Sequence, residues 1–282
     1  MAVKPAKAAA IFVGTVAVAF VWAVPPAWCG TWKLRWEDAF DGPAGSLPDS
    51  RYWTVETGAH GFGAGELQAY TDHPQNISIN GRGELVISAL RERFADVAYT
   101  SGRIHTRGKQ EFKYGAVEVR AKFPCGYGIG PAIWTSGFDK GDPWPWVGER
   151  DIVEVIGAEC AKIATTLIGA SKLDRNVQTG GAEYYYFPEG QDATGWHVYR
   201  HEFAPAQADQ SEEMRFYVDG NLYRRTQPEW FGGVWNFDKY DHFLLLNVAV
   251  GGDRPWGFPS PDTPFPQSLT VDYVRFYDFA DK

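Results

Sequence analysis

Glu149, Asp151 and Glu154 lie in Trp144-Pro145-Trp146-Val147-Gly148-Glu149-Arg150-Asp151-Ile152-Val153-Glu154-Val155-Ile156, three carboxylates inside an apolar run. Read as a strand, Glu149 and Asp151 share one face, because side chains alternate with a period of two, and Glu154 falls on the other. One extra residue near Ile152-Val153, a β-bulge, returns Glu154 to the face of the first two. Arg150, Ile152 and Val155 then point inward, and the three acids line a cleft. Two carboxyls facing one substrate suit glycoside hydrolysis: one attacks the anomeric carbon and the other protonates the leaving oxygen. A retaining pair must converge to about 5–5.5 Å. A middle acid can hydrogen-bond the nucleophile and hold the outer pair's pKa values apart. Spacing alone leaves two other readings open, an acidic solvated strand face and a calcium site. Calcium needs more oxygen ligands than the side chains of Trp-Pro-Trp provide.

The elements that must position these acids are strands. Leu85–Ala89 follows a Gly81-Arg82-Gly83 turn. Residues 116–123 alternate, with Val117, Val119 and Ala121 on one face and Glu118, Arg120 and Lys122 on the other. Residues 214–218 and 222–225 flank Asp219-Gly220, a hairpin signal. Residues 243–250 are apolar and fit a buried strand, and 269–277 fit a closing one. No sustained helical period, internal repeat or linker appears after residue 30. Short strands with frequent Gly and Pro turns predict a β-sandwich. A chain of 282 residues suffices for one large β domain. The net charge of -8 excludes a basic nucleic-acid footprint. With 12 Trp and 14 Tyr, the aromatic content serves the core and also provides ring faces on which sugars can stack.

The motif Gly148-Glu149-Arg150-Asp151-Ile152-Val153-Glu154 resembles the Glu-x-Asp-x-x-Glu signature of glycoside hydrolase family 16, in its bulged, laminarinase-like form. Segments around it resemble the same family in the same order: Gly65-Glu66-Leu67-Gln68-Ala69-Tyr70-Thr71, Tyr99-Thr100-Ser101-Gly102-Arg103-Ile104, Tyr114 to Lys122, Phe216-Tyr217-Val218-Asp219-Gly220, Leu246 to Gly252 and Val271 to Tyr277. The resemblance covers roughly residues 31–280. It implies an all-β jelly roll of two curved antiparallel sheets with a concave substrate cleft. The implied roles are Glu149 as nucleophile, Asp151 as its assistant and Glu154 as general acid/base. Trp134 and Trp144 match sugar-contacting positions, and Arg103, Glu66 and Asn247 match polar positions around the cleft. For the tryptophans a core or rim role stays open, as does backbone satisfaction for Asn247.

The implied activity is retaining endo-hydrolysis of a β-glucan, with β-1,3 or mixed β-1,3/1,4 links. A hydrolase or transglycosylase on another polysaccharide such as a galactan, and a non-catalytic β-glucan-binding lectin, are the competing readings. The lectin reading is disfavoured because all three acids are kept. No cofactor is expected for catalysis. The family's structural calcium implies Asp272 as one ligand. Ala39 stands where an acid is usual, with Glu37 or Asp38 as substitutes. The expected partner is a polysaccharide, and the expected state a monomer.

Four positions depart from the family pattern: Gly130 for Trp, Ile168 for His, Gly65 for Asn, and Arg150 for an aliphatic residue. The first three remove groups that touch the sugar nearest the scissile bond, which predicts a roomier cleft there. Arg150 is predicted to point into the inter-sheet core and must find a carboxylate or water.

Residues 1–27 read as a secretory signal peptide, with Lys4 and Lys7, an uncharged run over 8–24 and a Pro25-Pro26 stop. The run is short of the ~20 residues that span a bilayer, so an uncleaved anchor is the second reading. The expectation is a secreted, extracellular protein with 28–282 as one catalytic domain, not inserted in a membrane once cleaved. Trp28 before Cys29 argues against acylation there. Cys125 and Cys160 can pair in an exported protein, with two buried thiols as the alternative.

Overall fold

The computed structural model describes residues 30–281 apart from 139–140 and 209. The predicted signal segment and Cys29 lie outside the described residues. In chain order the strands are β1 (Gly30–Asp38), β2 (Thr54–Val55), β3 (Gln68–Tyr70), β4 (Ile77–Ile79), β5 (Leu85–Ala89), β6 (Tyr99–Ser101), β7 (Arg103–His105), β8 (Glu111–Phe112) and β9 (Gly115–Lys122). They continue with β10 (Ile129–Gly137), β11 (Glu149–Glu154), β12 (Lys162–Ala170), β13 (Gln178–Tyr186), β14 (His197–Ala204), β15 (Glu213–Val218), β16 (Asn221–Thr226), β17 (His242–Val250) and β18 (Gln267–Asp281). Among the described residues, helix is confined to two single 3₁₀ turns, Gly61–Gly63 and Pro228–Trp230.

Two eight-stranded antiparallel sheets result. One runs β16-β15-β14-β9-β18-β5-β4, with β1 also on β18, and the other runs β13-β12-β11-β10-β17-β7-β2, with β8 also on β17. The predicted alternation of β9 holds: Val117, Val119 and Ala121 are fully buried. The β15–β16 hairpin turns at Asp219-Gly220, both at positive φ, the conformation a tight primed turn requires. Between the sheets, Ile133, Ile152, Val153, Leu246 and Val248 from the second sheet meet Val117, Val119, Val271 and Val274 from the first. Burial of this apolar surface is the main force closing the sandwich. Cys125 and Cys160 form a disulfide, with their Cα atoms 5.7 Å apart.

Asp272, the calcium ligand that the family resemblance implied, is engaged in an ion pair. Its carboxylate pairs with Arg120 at 2.6 Å. Glu37 accepts from Arg275, and Asp38 accepts from the Trp53 indole and the Phe40 amide. Among the described residues no group of three or more His, Cys, Asp or Glu side chains is arranged to hold a metal ion. In this structure the carboxylates near the expected calcium position are thus engaged by arginines and by N–H donors.

Candidate active site

A bulge forms at the place where one returns Glu154 to the face of the other two acids. In the β10–β11 ladder Ile133 opposes Val153 and Trp134 opposes Asp151, which leaves Ile152 as the extra residue. The β11–β12 ladder slips between Asp151 and Glu154 as well. All three acids therefore emerge on the outer face of the second sheet. The same face takes alternate residues from its neighbours: Gly130, Ala132 and Trp134 of β10, Ala164, Thr166 and Ile168 of β12, and Asn247 and Ala249 of β17. Their sequence neighbours Ile133, Leu167, Leu246 and Val248 are in the core. Small side chains dominate beside Glu154, which opposes Ala132 on one side and Ala164 on the other. The result is a cleft of ≈ 430 Å³.

Each outer acid has its own donor. The Trp144 indole N–H donates to Glu149 Oε2 at 2.9 Å, and the Thr166 hydroxyl donates to Glu154 Oε2 at 2.8 Å. Burial raises the pKa of Glu149 to about 7, the Glu154 charge adds to the rise, and the Trp144 bond opposes it. Glu154 is raised by burial against the Thr166 bond. Asp151, between them, is raised well above the usual carboxylate range by burial and then by the charges of both glutamates. Three acids packed this closely cannot all be ionised near neutral pH, and a proton retained there belongs to the cluster.

The remaining predicted site residues form one network along the cleft wall. Trp134 Nε1 donates to Asn247 Oδ1 at 2.8 Å, and Asn247 Nδ2 donates to Tyr70 Oη at 3.1 Å. The Tyr70 hydroxyl donates in turn to Glu66 Oε2, which also accepts from Gln68. Asn247 is thus satisfied by side chains and fixes the plane of Trp134. Burial raises the Glu66 pKa, and these two bonds lower it. Arg103 lies between the Trp134 and Phe62 rings, at 5.0 and 5.1 Å from their centroids, and its Nε donates to Glu56 at 2.6 Å. Trp134, Trp144, Arg103, Glu66 and Asn247 all line the cleft with the three acids.

Among the lining residues that escaped the sequence reading are Phe62, Thr166, Tyr184, Arg254 and Trp256. The signal for Arg254 and Trp256 was the Gly251-Gly252-Asp253-Arg254-Pro255-Trp256-Gly257 run after β17, a turn sequence interrupted by a cation and a large ring. Trp256 also corrects the expected vacancy at Gly130. A Cβ on Gly130 would meet Trp256 Cδ2 and Cε2 at 2.5 Å, so the indole already covers that glycine.

Arg150 enters the inter-sheet core, fully buried, as alternation predicted. Its partners are not carboxylates. Nη2 donates to the Phe237 carbonyl at 3.1 Å, Nη1 approaches His201 Nε2 at 3.4 Å, and the guanidinium lies 4.8 Å from the Phe203 centroid. Its Nε has no partner among the described residues.

The sequence profile of Glycosyl hydrolases family 16 matches residues 65–251. The chain belongs to that family. It is 38% identical over 265 residues to the beta-glucanase of Rhodothermus marinus, covering 89% of this chain and 86% of that one. It is 33% identical over 264 residues to a glucan endo-1,3-beta-glucosidase of Cryptopygus antarcticus, with 87% and 92% covered. The catalytic domain of an endo-1,3-beta-glucanase (laminarinase) from Thermotoga petrophila RKU-1 superposes with a TM-score of 0.76 at 37% identity, covering 88% of this chain and 98% of that one.

Proposed function

We propose that this chain is a retaining endo-β-1,3-glucanase. The observation that carries the reading is the bulge at Ile152, which brings Glu149, Asp151 and Glu154 to one face, in a cleft walled by Trp134, Trp144 and Trp256. The glucanase relatives support the substrate class. The Glu149 carboxylate attacks the anomeric carbon while Glu154, protonated, gives its proton to the leaving glycosidic oxygen. Glu154 then takes a proton from water, which attacks the glycosyl ester on Glu149 and restores the β configuration. The Trp144 hydrogen bond stabilises the charged form of Glu149, as a nucleophile needs. Burial favours the protonated form of Glu154, as a general acid needs. Asp151, caught between two glutamates, takes the proton that lets Glu149 stay ionised.

Proton NMR of the first product from laminarin tests this. The β anomer should appear first, and Glu149→Gln should retain less than a tenth of the wild-type rate while still binding glucan. Initial α anomer, or an active Glu149→Gln enzyme, overturns it. We also propose export of the chain, supported by the Cys125–Cys160 disulfide, since such bonds persist in oxidising compartments. Finding the protein only in the cytosol of its host, thiols reduced, would contradict that.

A further inference from the structure

The loop after β17 presents a cation to the cleft, Arg254, whose charge favours the ionised forms of Glu149, Asp151 and Glu154 but which makes no ion pair with any of them among the described residues. The loop is tightly anchored. The Gly251 amide donates to Gly128 O at 2.8 Å, Gly128 donates to Trp256 O at 2.9 Å, Asp253 donates to Ala64 O at 2.8 Å and Gly257 donates to Arg254 O at 2.9 Å. The Trp256 indole N–H closes back on Gly251 O at 2.8 Å, with its ring pressed on Gly130. Arg254 sits at the centre of this loop and lines the cleft with Glu149 and Glu154. Its guanidinium has no hydrogen bond or ion pair among the described residues, whereas Arg103, the other arginine of the cleft, is committed to Glu56. A neutral glucan offers hydroxyls, for which a preorganised planar cation is not needed. A guanidinium fits a carboxylate or sulfate through two parallel N–H···O bonds. Glu66, Glu149, Asp151 and Glu154 attract it through space, but none of them forms an ion pair or hydrogen bond with it, so its N–H fork stays available to a ligand.

Building on the glucanase reading above, we infer that Arg254 makes this cleft selective for a β-glucan bearing an anionic substituent, a carboxylate or a sulfate ester, on a sugar close to the scissile bond. Trp256 provides the ring wall against that sugar, and Arg254 reaches the charged group beyond it.

Calorimetry with the Glu149→Gln protein tests this without turnover. The probes are laminarihexaose, its C6-carboxylate form and a 6-sulfated form, at low and at high salt. The expected result is at least tenfold tighter binding of one anionic form than of the neutral sugar, with the preferred form telling carboxylate from sulfate. That advantage should shrink in salt. It should fall to threefold or less in Glu149→Gln/Arg254→Leu and be only partly kept in Glu149→Gln/Arg254→Lys, which preserves charge but not the fork. Equal or weaker binding of both anionic forms overturns the inference, as does an advantage that survives Arg254→Leu. So does failure to bind any of the three sugars. Wild-type hydrolysis of plain laminarin is measured alongside. Its absence, with anionic binding intact, overturns the neutral β-1,3-glucan reading and leaves the role of Arg254 standing.

Discussion

The indole of Trp256 occupies the space into which a side chain on Gly130 would have to grow, at 2.5 Å from the ideal Cβ position. A ring wall expected on β10 is delivered instead from a loop, and the strand beneath it has lost its side chain to make room. The two positions are thus one steric unit.

Trp256→Ala should therefore weaken glucan binding. Loss of an aromatic stacking face is worth about 1–3 kcal/mol, which is one to two tenfold steps, read mainly in KM for laminarin. Gly130→Trp should lower activity, because its Cβ alone collides with the indole and displaces the loop. Adding Ile168→His should not rescue it. Improved kcat/KM in Gly130→Trp would show that Trp256 is not held against this glycine.

The Trp144–Glu149 hydrogen bond gives a pH prediction. Its donor favours the ionised carboxylate and so works against the burial that pushes Glu149 up to about 7. Trp144→Phe keeps a ring and removes the donor. The Glu149 pKa should rise further, so the acidic limb of the kcat/KM profile should move to higher pH. A hydrogen bond to a charged group contributes about 1.5–3 kcal/mol, so kcat/KM should drop by at least tenfold at pH 6. A lowered rate with an unmoved acidic limb would assign Trp144 to sugar contact alone.

Much of this site was legible because β-structure writes itself in a period of two. A bulge near Ile152 was the way to bring the out-of-phase Glu154 onto the face of the other acids, and the sandwich has one there. Asp219-Gly220 required a hairpin, and β9 required one buried face. Features set by loops left no such mark. Trp256 meets Gly130 through a turn with no periodicity. Strand β13 is largely exposed along its length, so no alternation announced it. The partners of Arg150 were invisible because they are a carbonyl and ring faces, whereas charge matching searches for carboxylates.

Arg150 should be replaceable with a gain in stability. Burial pulls its pKa down to about 9, the mark of a charge poorly compensated for leaving water. Apolar residues of similar volume in place of buried charges are often neutral or stabilising by about 1–4 kcal/mol. Arg150→Met should raise the urea midpoint at pH 7, while Arg150→Ala should lower it by leaving a cavity against Phe203 and Phe237. A destabilised Arg150→Met would mean that the bond to the Phe237 carbonyl, and with it the docking of the 231–241 segment on β11, outweighs the desolvation.

Glu149 should show the same conflict between function and stability, with a pH signature of its own. Its pKa is raised in the folded protein, from 4.5 to about 7. Between those values the native state therefore holds more protons than the unfolded state, so stability falls as pH rises. The cost is absent below 4.5 and complete above about 7. Glu149→Gln cannot ionise and its amide oxygen still accepts from Trp144. Its advantage over wild type should be near zero at pH 4, grow from pH 5 to 7 and level off beyond. The plateau should be on the order of 2–3 kcal/mol, since each tenfold change in proton affinity is worth ~1.4 kcal/mol and the neighbouring acids share part of the load. For a chain of this size each kcal/mol moves Tm by about 2–4 °C, so calorimetric scans at pH 4, 6 and 8 resolve it. A pH-independent difference, or a Glu149→Gln protein less stable than wild type at pH 8, would mean that Glu149 is accommodated as an ion without cost and that the retained proton belongs to its neighbours alone.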